Sequence, residues 1–137
     1  MRIVLDTNVF ISSFFGGNPR KIIDLWAAGK ITLCFSREIV EEYIEVLERL
    51  GLQEEEGLGA LLKLLARGHS CLFTAKTPTL KIVEADPDDD KFIACAVALE
   101  AQWVISGDKQ LTAIKEYMRI KIVTPRQFVD QFSNTSN

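Results

Sequence analysis

Four acidic side chains occupy positions from which a sheet of parallel strands can bring them together. Asp6 ends the first apolar run of the chain, and Asp108 closely follows a later run at 103–106. Asp90 lies near the start of one predicted helix, and Glu42 lies within the first two turns of another. The carboxyl ends of parallel strands share one edge of a sheet, where α/β proteins bind their ligands. We therefore expect these four carboxylates around one cleft.

Carboxylates gathered this closely need protons or cations, because like charges in one site cannot all stay ionised unaided. Ligand sets made of oxygen atoms, without His or Cys, suit the hard ions Mg²⁺ and Mn²⁺. A bound Mg²⁺ keeps water molecules, so it can hold a phosphate oxygen and activate a water for in-line attack. The pattern predicts metal-dependent hydrolysis of phosphodiester bonds. The single histidine, His69, lies in a polar turn, and we give it no catalytic role.

Two of the four acids have close competitors on their own helices. Glu42 is only slightly better placed than Glu41 beside the apolar stripe of the predicted helix 37–49. Asp90 lies on the same side as a strip of small residues suited to packing on a sheet, whereas Asp89 is intermediate. A carboxylate on a sheet-facing side needs a partner that offsets its desolvation. Position on the helix therefore favours Glu42 and Asp90 as site residues but does not exclude Glu41 and Asp89.

A structural role is the alternative interpretation of the same acids. Asp6 can help to cap the helix that follows it, although Asn8 is the predicted N-cap. Asp86 is the predicted N-cap of the helix 86–100, with Pro87 at the first helical position. Acids at a helix N-terminus also complement the helix dipole. For Asp6, position alone leaves both interpretations open.

Strands and helices alternate along the chain, which predicts a three-layer α/β/α fold with a central parallel sheet of four to five strands. Ser36 is the predicted N-cap of the long helix. The predicted strands are 3–5, 31–35, 103–106 and 120–123, with weaker candidates at 71–73 and 81–83. The predicted helices are 9–14, 18–29, 37–49, 54–67, 86–100, 109–115 and 124–132. Residues 133–137 are expected to fray.

The composition is that of one ordinary globular domain. Of the 137 residues, 47% are hydrophobic and 26% are charged, and the formal net charge is −3. No global basic field therefore attracts nucleic acid. No apolar stretch approaches the ~20 residues of a membrane helix, and Asp6 interrupts the first apolar run, which argues against a signal peptide. We expect a cytoplasmic protein whose three widely spaced cysteines are reduced core residues.

Several short segments form motifs that extend over most of the chain. They are Ile-Val-Leu-Asp-Thr-Asn-Val at 3–9, Ser36 with Glu42 six residues later, Asp-Pro-Asp-Asp-Asp-Lys-Phe-Ile-Ala at 86–94 and Val-Ile-Ser-Gly-Asp at 104–108. Together they resemble PIN-domain ribonucleases, in particular the toxins of prokaryotic toxin–antitoxin pairs. The resemblance is specific at both ends and loose from about residue 50 to residue 83. It implies a single PIN-like domain over residues 1–132.

The resemblance implies a Mg²⁺ or Mn²⁺ site that cuts RNA. The residues that match the family's metal-binding and catalytic acids are Asp6, Glu42, Asp90 and Asp108. The residues that match its polar supporting positions are Asn8 and Ser106. The same comparison favours Glu42 over Glu41 and Asp90 over Asp89.

Partners follow from the resemblance in the same way. It implies an RNA substrate and a small antitoxin protein, with a homodimer as a family-level expectation and no membrane association.

One alternative is a non-catalytic PIN-like binding module, whose acidic cleft accepts a basic segment of a partner. Another is a haloacid-dehalogenase-like phosphatase, which also has an Asp at the end of its first strand. That chemistry requires a second acid two residues later, where this chain has Asn8.

Overall fold

A computed structural model of the chain describes residues 1–52, 56–84 and 86–135. Within these residues, helices flank a six-stranded sheet, which confirms the predicted α/β/α architecture. The strands are β1 (Arg2–Leu5), β2 (Thr32–Ser36), β3 (Cys71–Thr74), β4 (Trp103–Ile105), β5 (Glu116–Tyr117) and β6 (Ile120–Val123). The helices are α1 (Thr7–Ser12), α2 (Gly17–Ala27), α3 (Arg37–Arg49), α4 (Glu56–Ala66), α5 (Asp90–Ala98), α6 (Lys109–Thr112) and α7 (Pro125–Thr135), with a 3₁₀ turn at Pro87–Asp89.

The strand order is β3-β2-β1-β4-β6-β5, and the first five strands of this order run parallel. The additional strand β5 pairs antiparallel with β6. The turn between them contains Met118 and Arg119, both with positive φ values of 49° and 70°. Such a turn is usually signalled by Asn-Gly or Asp-Gly, so Met-Arg gave no indication of this short hairpin.

Strand β1 lies at the centre of the sheet because its apolar run can be covered on both faces. Ile3 and Val4 are completely buried, as is typical of central parallel strands. Helix α5 packs on β1, β2 and β4, and α3 packs against α5. Helices α2 and α7 contact each other. Helix α5 therefore covers the central strands, with α3 beside it.

The first helix begins earlier than predicted. It starts at Thr7, and its N-cap is Asp6, whose Oδ1 accepts a hydrogen bond of 2.8 Å from the backbone N–H of Val9. Asn8 is an exposed residue within the helix, so the prediction that Asn8 is the N-cap was wrong. The side chain of Asp6 reaches the third helical N–H directly, which is the usual N-cap geometry.

Two other predictions in the second half of the chain need correction. Residues 81–83 are not a strand, because the N–H groups of Ile82 and Val83 donate to the side chain of Asp90 and not to a neighbouring strand. The helix predicted over 86–100 begins as a 3₁₀ turn and is α-helical only from Asp90 to Ala98. The weaker strand candidate at 71–73 is confirmed as β3.

The remaining predictions concern the cysteines and the C-terminus. Cys34 and Cys95 are buried, Cys71 is half-buried, and all three are free thiols, as predicted. Helix α7 continues to Thr135, although fraying is predicted from residue 133, and residues 136 and 137 lie outside the described part of the chain. Among the described residues, no helix has the length and apolarity needed to cross a membrane.

Candidate functional site

The pairing register of β1 and β4 places Asp6, which follows β1, beside Ser106, which follows β4. Leu5 pairs with Ile105, and the N–H of Asp6 donates to the carbonyl of Ile105 over 3.0 Å. Asp6 therefore lies beside Ser106, although the two residues are 100 positions apart. Both side chains are buried, with Asp6 4% exposed and Ser106 fully buried.

Asp6 is held by donors on both of its oxygens. Its Oδ1 accepts from the N–H of Val9, and its Oδ2 accepts from the hydroxyl of Ser106. Burial raises the pKa of Asp6, and the negative charge of Asp108 raises it further, while the hydrogen bonds from Ser106 and Val9 lower it. The net pKa is above the usual value for Asp, because desolvation is the largest of these effects.

Ser106 links Asp6 to the loop that carries Asp108. Its oxygen accepts a hydrogen bond of 2.9 Å from the N–H of Asp108 while its hydroxyl proton is donated to Asp6. Asp108 is the N-cap of α6, since its Oδ1 accepts from the N–H of Gln110 over 2.8 Å. The hydroxyl of Ser106 therefore connects Asp6, which follows β1, to Asp108, which follows β4.

Three carboxylates meet beside this loop and form what we call the acid group. The group consists of Asp86, Asp89 and Asp108, and one oxygen from each lies within 4.8 Å of the others. All three residues are half-buried. Within the described part of the chain, Oδ2 of Asp89 is buried and has no hydrogen-bond donor.

Burial and the neighbouring carboxylates together raise the pKa of Asp89 to about 7. Burial is the largest cause, followed by the close approach of Asp108 and the negative charges of Asp86, Asp108 and Asp6. At neutral pH this carboxyl group is therefore only partly ionised without a cation. An all-oxygen set of this density has the donor chemistry that Mg²⁺ or Mn²⁺ requires, so the residues present fit a divalent cation.

Asp90 and Glu42 make other contacts and are not members of the acid group. Asp90 is 7% exposed, and its Oδ1 accepts hydrogen bonds from the N–H groups of Ile82 and Val83 at 3.1 and 2.8 Å. The carboxylate of Glu42 forms an ion pair with Lys91. Both acids instead line one cavity.

This cavity, the acidic cavity below, has a volume of about 650 Å³ and lies between α3, the segment 77–80 and the start of α5. Its acidic lining residues outnumber the two basic ones, Arg49 and Lys91. The acidic residues are Glu38, Glu41, Glu42, Glu45, Asp88 and Asp90. Glu41 and Glu42 both line it, although Glu41 is exposed and Glu42 half-buried.

The structure groups Asp86 and Asp89 with Asp108, whereas the sequence pattern favoured Asp90 over Asp89. The prediction assumed an α-helix from residue 86, in which Asp90 takes the sheet-facing side. In the observed 3₁₀ turn, side chains three residues apart eclipse each other, so Asp86 and Asp89 fall on the same side. The signal available was the Asp-Pro start followed by a second Asp three residues later.

The predicted site acids and the acid group all lie within one region of the chain that matches a known protein family. Residues 2–110 match the family model described as PIN domain. An uncharacterized protein of Methanocaldococcus jannaschii is 33% identical, in an alignment that covers 96% of this chain and 92% of that protein. The matched region includes the carboxyl ends of β1 and β4, the whole of α3 and the acid group.

Proposed function

Since the chain belongs to the PIN domain family, whose members are generally nucleases, we propose that it is a Mg²⁺- or Mn²⁺-dependent endoribonuclease. PIN domains act on RNA, and PIN-domain nucleases typically use divalent metals. The observation that carries the proposal is the acid group, in which one oxygen from each of Asp86, Asp89 and Asp108 lies within 4.8 Å of the others and the raised pKa of Asp89 leaves it partly protonated without a cation. Such a group gains most when a divalent cation replaces the proton.

The proposed site consists of residues that the sequence pattern indicates, together with Asp89, which lies near Asp108 in the structure. Asp6, Glu42 and Asp108 remain the proposed catalytic and metal-binding acids, and Asn8 and Ser106 remain the proposed supports. The closeness of Asp89 to Asp108 supports adding Asp89 as a direct ligand. The backbone contacts of Asp90 support a positioning role, in which this carboxylate fixes the segment 82–83.

Each proposed residue has a task that follows from its contacts. Asp89 and Asp108 would hold the cation through their carboxylate oxygens, and Ser106 fixes the carboxylate of Asp6 relative to Asp108. A divalent cation held there would supply Lewis-acid chemistry for attack on a phosphodiester. Burial of Asp6 strengthens its interaction with a cation, because water screens the charge less.

The direct test is cleavage of a labelled single-stranded RNA with Mg²⁺, with Mn²⁺ and with a chelator. We expect cleavage only with metal, and at least a hundredfold loss of rate in Asp108→Asn. Asp130→Asn is the matched control, because Asp130 is an exposed acid on α7. Cleavage that persists in chelator or in Asp108→Asn contradicts the proposal. Turnover of a phosphate monoester without any RNA cleavage would instead support the phosphatase alternative.

The finer form of the proposal is a cytoplasmic toxin with a small antitoxin partner and a homodimeric state. Its support is the charge of the acidic cavity, which complements a basic partner segment. Induction of the protein in cells should then arrest growth, and co-expression of a small basic neighbouring gene product should relieve the arrest. Growth arrest that is equally strong for Asp108→Asn would contradict a nuclease toxin. Sedimentation equilibrium tests the dimer.

A further inference from the structure

Lys91 pairs with two carboxylates that belong to different elements. Its Nζ forms an ion pair with Glu42 on α3 and lies 2.9 Å from Oδ2 of Asp88 in the 3₁₀ turn. The side chain of Lys91 is 11% exposed and that of Glu42 is 27% exposed. Water and salt screen such a contact less than a surface ion pair. This contact, called the Lys91 bridge below, therefore fixes the carboxylate of Glu42.

The bridge lies directly beside the acid group along the chain. Asp88 immediately precedes Asp89, and Lys91 follows it by two residues. The ion pair with Asp88 places the positive charge of Lys91 next to the 3₁₀ turn that contains Asp89. A divalent cation at the acid group must bind in the presence of this fixed positive charge.

The bridge engages the carboxylate of Glu42, which is not a member of the acid group. The sequence pattern assigns Glu42 to the metal site, yet its Oε2 is paired with Lys91. We propose that Lys91 competes with the divalent cation for Glu42, so that Glu42 is held by Lys91 in the metal-free protein and released when the cation binds. This inference rests on the proposed function, since it requires a metal at the acid group.

Competition of this kind has a measurable consequence for metal affinity. Removal of the ammonium group leaves Glu42 available to the cation and also removes a nearby positive charge. A variant without the ammonium should therefore bind the cation more tightly. A merely structural role for Lys91 predicts the opposite, because loss of the bridge would then loosen α3 and α5 and weaken the site.

The experiment is calorimetric titration of Mn²⁺ into the full chain, with no RNA present. We expect about tenfold tighter binding for Lys91→Met, within the range of typical coupling between sites, and unchanged binding for Lys91→Arg, which keeps the charge. Lys109→Met is the matched control, because Lys109 is exposed and adjacent to Asp108. Its affinity should change less than twofold. Glu42→Gln should cancel the gain in the Lys91→Met background and have a smaller effect in the unmodified protein.

Unchanged or weaker Mn²⁺ binding by Lys91→Met overturns the inference, and so does an equal gain in Lys109→Met. Circular dichroism checks that each variant folds, and Lys91→Gln is titrated if Lys91→Met does not. If the unmodified protein binds no Mn²⁺, both the inference and the proposed function fail. If it binds Mn²⁺ and cleaves RNA while Lys91→Met has the same affinity, only the inference fails.

Discussion

The hydroxyl of Ser106 donates a hydrogen bond to the buried carboxylate of Asp6, a residue 100 positions earlier in the chain. The parallel register of β1 and β4 makes the contact possible, because Leu5 lies opposite Ile105. The same hydroxyl oxygen accepts the N–H of Asp108. A single small side chain therefore sets the relative positions of two proposed metal ligands.

Ser106→Ala should reduce both the stability of the protein and its affinity for metal. The variant leaves Asp6 and the N–H of Asp108 without their shared partner, and a hydrogen bond to a charged group contributes about 1.5–3 kcal/mol. We expect the free energy of unfolding in urea to fall by about that amount, and Mn²⁺ to bind several-fold more weakly.

Ser106→Thr is the informative control for this prediction, because it keeps the hydroxyl and adds one methyl group. Its Mn²⁺ affinity should stay within about twofold of the unmodified protein. If Ser106→Ala binds Mn²⁺ as tightly as Ser106→Thr does, the hydroxyl does not position the acids.

Asp89 and Asp90 should respond differently to substitution, because only Asp89 belongs to the acid group. Asp89→Asn removes a proposed ligand and relieves repulsion, so we expect Mn²⁺ affinity to fall at least tenfold with stability unchanged or increased. Asp90→Ala leaves the N–H groups of Ile82 and Val83 without their acceptor. It should lower the free energy of unfolding by about 2–4 kcal/mol.

Asp90→Asn separates the two roles, because its amide oxygen can still accept both backbone N–H groups. We expect this variant to keep most of its stability and its Mn²⁺ affinity. Loss of Mn²⁺ binding in Asp90→Asn, with normal binding in Asp89→Asn, would restore Asp90 as the ligand that the sequence pattern favours. Calorimetric titration and urea unfolding of the same preparations decide the question.

The elements that local signals define could be predicted well. Helix α3 has the predicted bounds, because Ser36 provides a clear N-cap and the apolar stripe is continuous over 37–49. The closeness of Asp6 and Asp108 followed from the rule that parallel strand ends share an edge. The PIN-domain resemblance is confirmed by the family match over 2–110.

What could not be predicted depends on contacts between distant segments. The proximity of Asp89, and not of Asp90, to Asp108 depends on a 3₁₀ turn, in which the angle per residue differs from that of an α-helix. The role of Asp90 depends on the backbone of 82–83, a segment without any periodic pattern. The sequence alone gave no indication of the bridge from Lys91 to Glu42 on another helix.

The raised pKa of Asp89 predicts that the metal-free protein becomes less stable as the pH rises. In the folded protein this pKa is about 7, whereas in the unfolded chain it is about 3.9. Between these values the folded state binds a proton that the unfolded state has released, so the free energy of unfolding falls as pH increases through the window. Above about pH 7 this contribution is fully lost.

Thermal unfolding in chelator at pH 5 and at pH 8 measures this effect. The fall in melting temperature should be clearly smaller for Asp89→Asn, which cannot lose a proton, and unchanged for the surface control Asp130→Asn. Saturating Mn²⁺ should raise the melting temperature at pH 8 more than at pH 5, because the cation competes with the proton. Identical pH dependence in the unmodified protein and Asp89→Asn would contradict the assignment.

Tyr43 connects the helix that carries Glu42 to the strand that ends at Asp6. Its hydroxyl donates to the carbonyl of Leu5, and its ring stacks on Phe10 with centroids 4.1 Å apart. Burial raises the pKa of Tyr43 well above its usual value, and the negative charges of Asp6 and Glu42 raise it further. The phenol therefore stays protonated and remains a donor throughout the physiological range.

Tyr43→Phe should consequently lower the free energy of unfolding by about 1–2 kcal/mol, since the ring stack is kept and one buried hydrogen bond is lost. Tyr43→Leu should cost more, because it also removes the aromatic contact. Tyr117→Phe, at a half-buried position in β5, is the control and should change stability by less than about 0.5 kcal/mol. Urea unfolding measures all three variants. If Tyr43→Phe is as stable as Tyr117→Phe, the hydroxyl does not tie α3 to β1, and the position of Glu42 must depend on the Lys91 bridge alone.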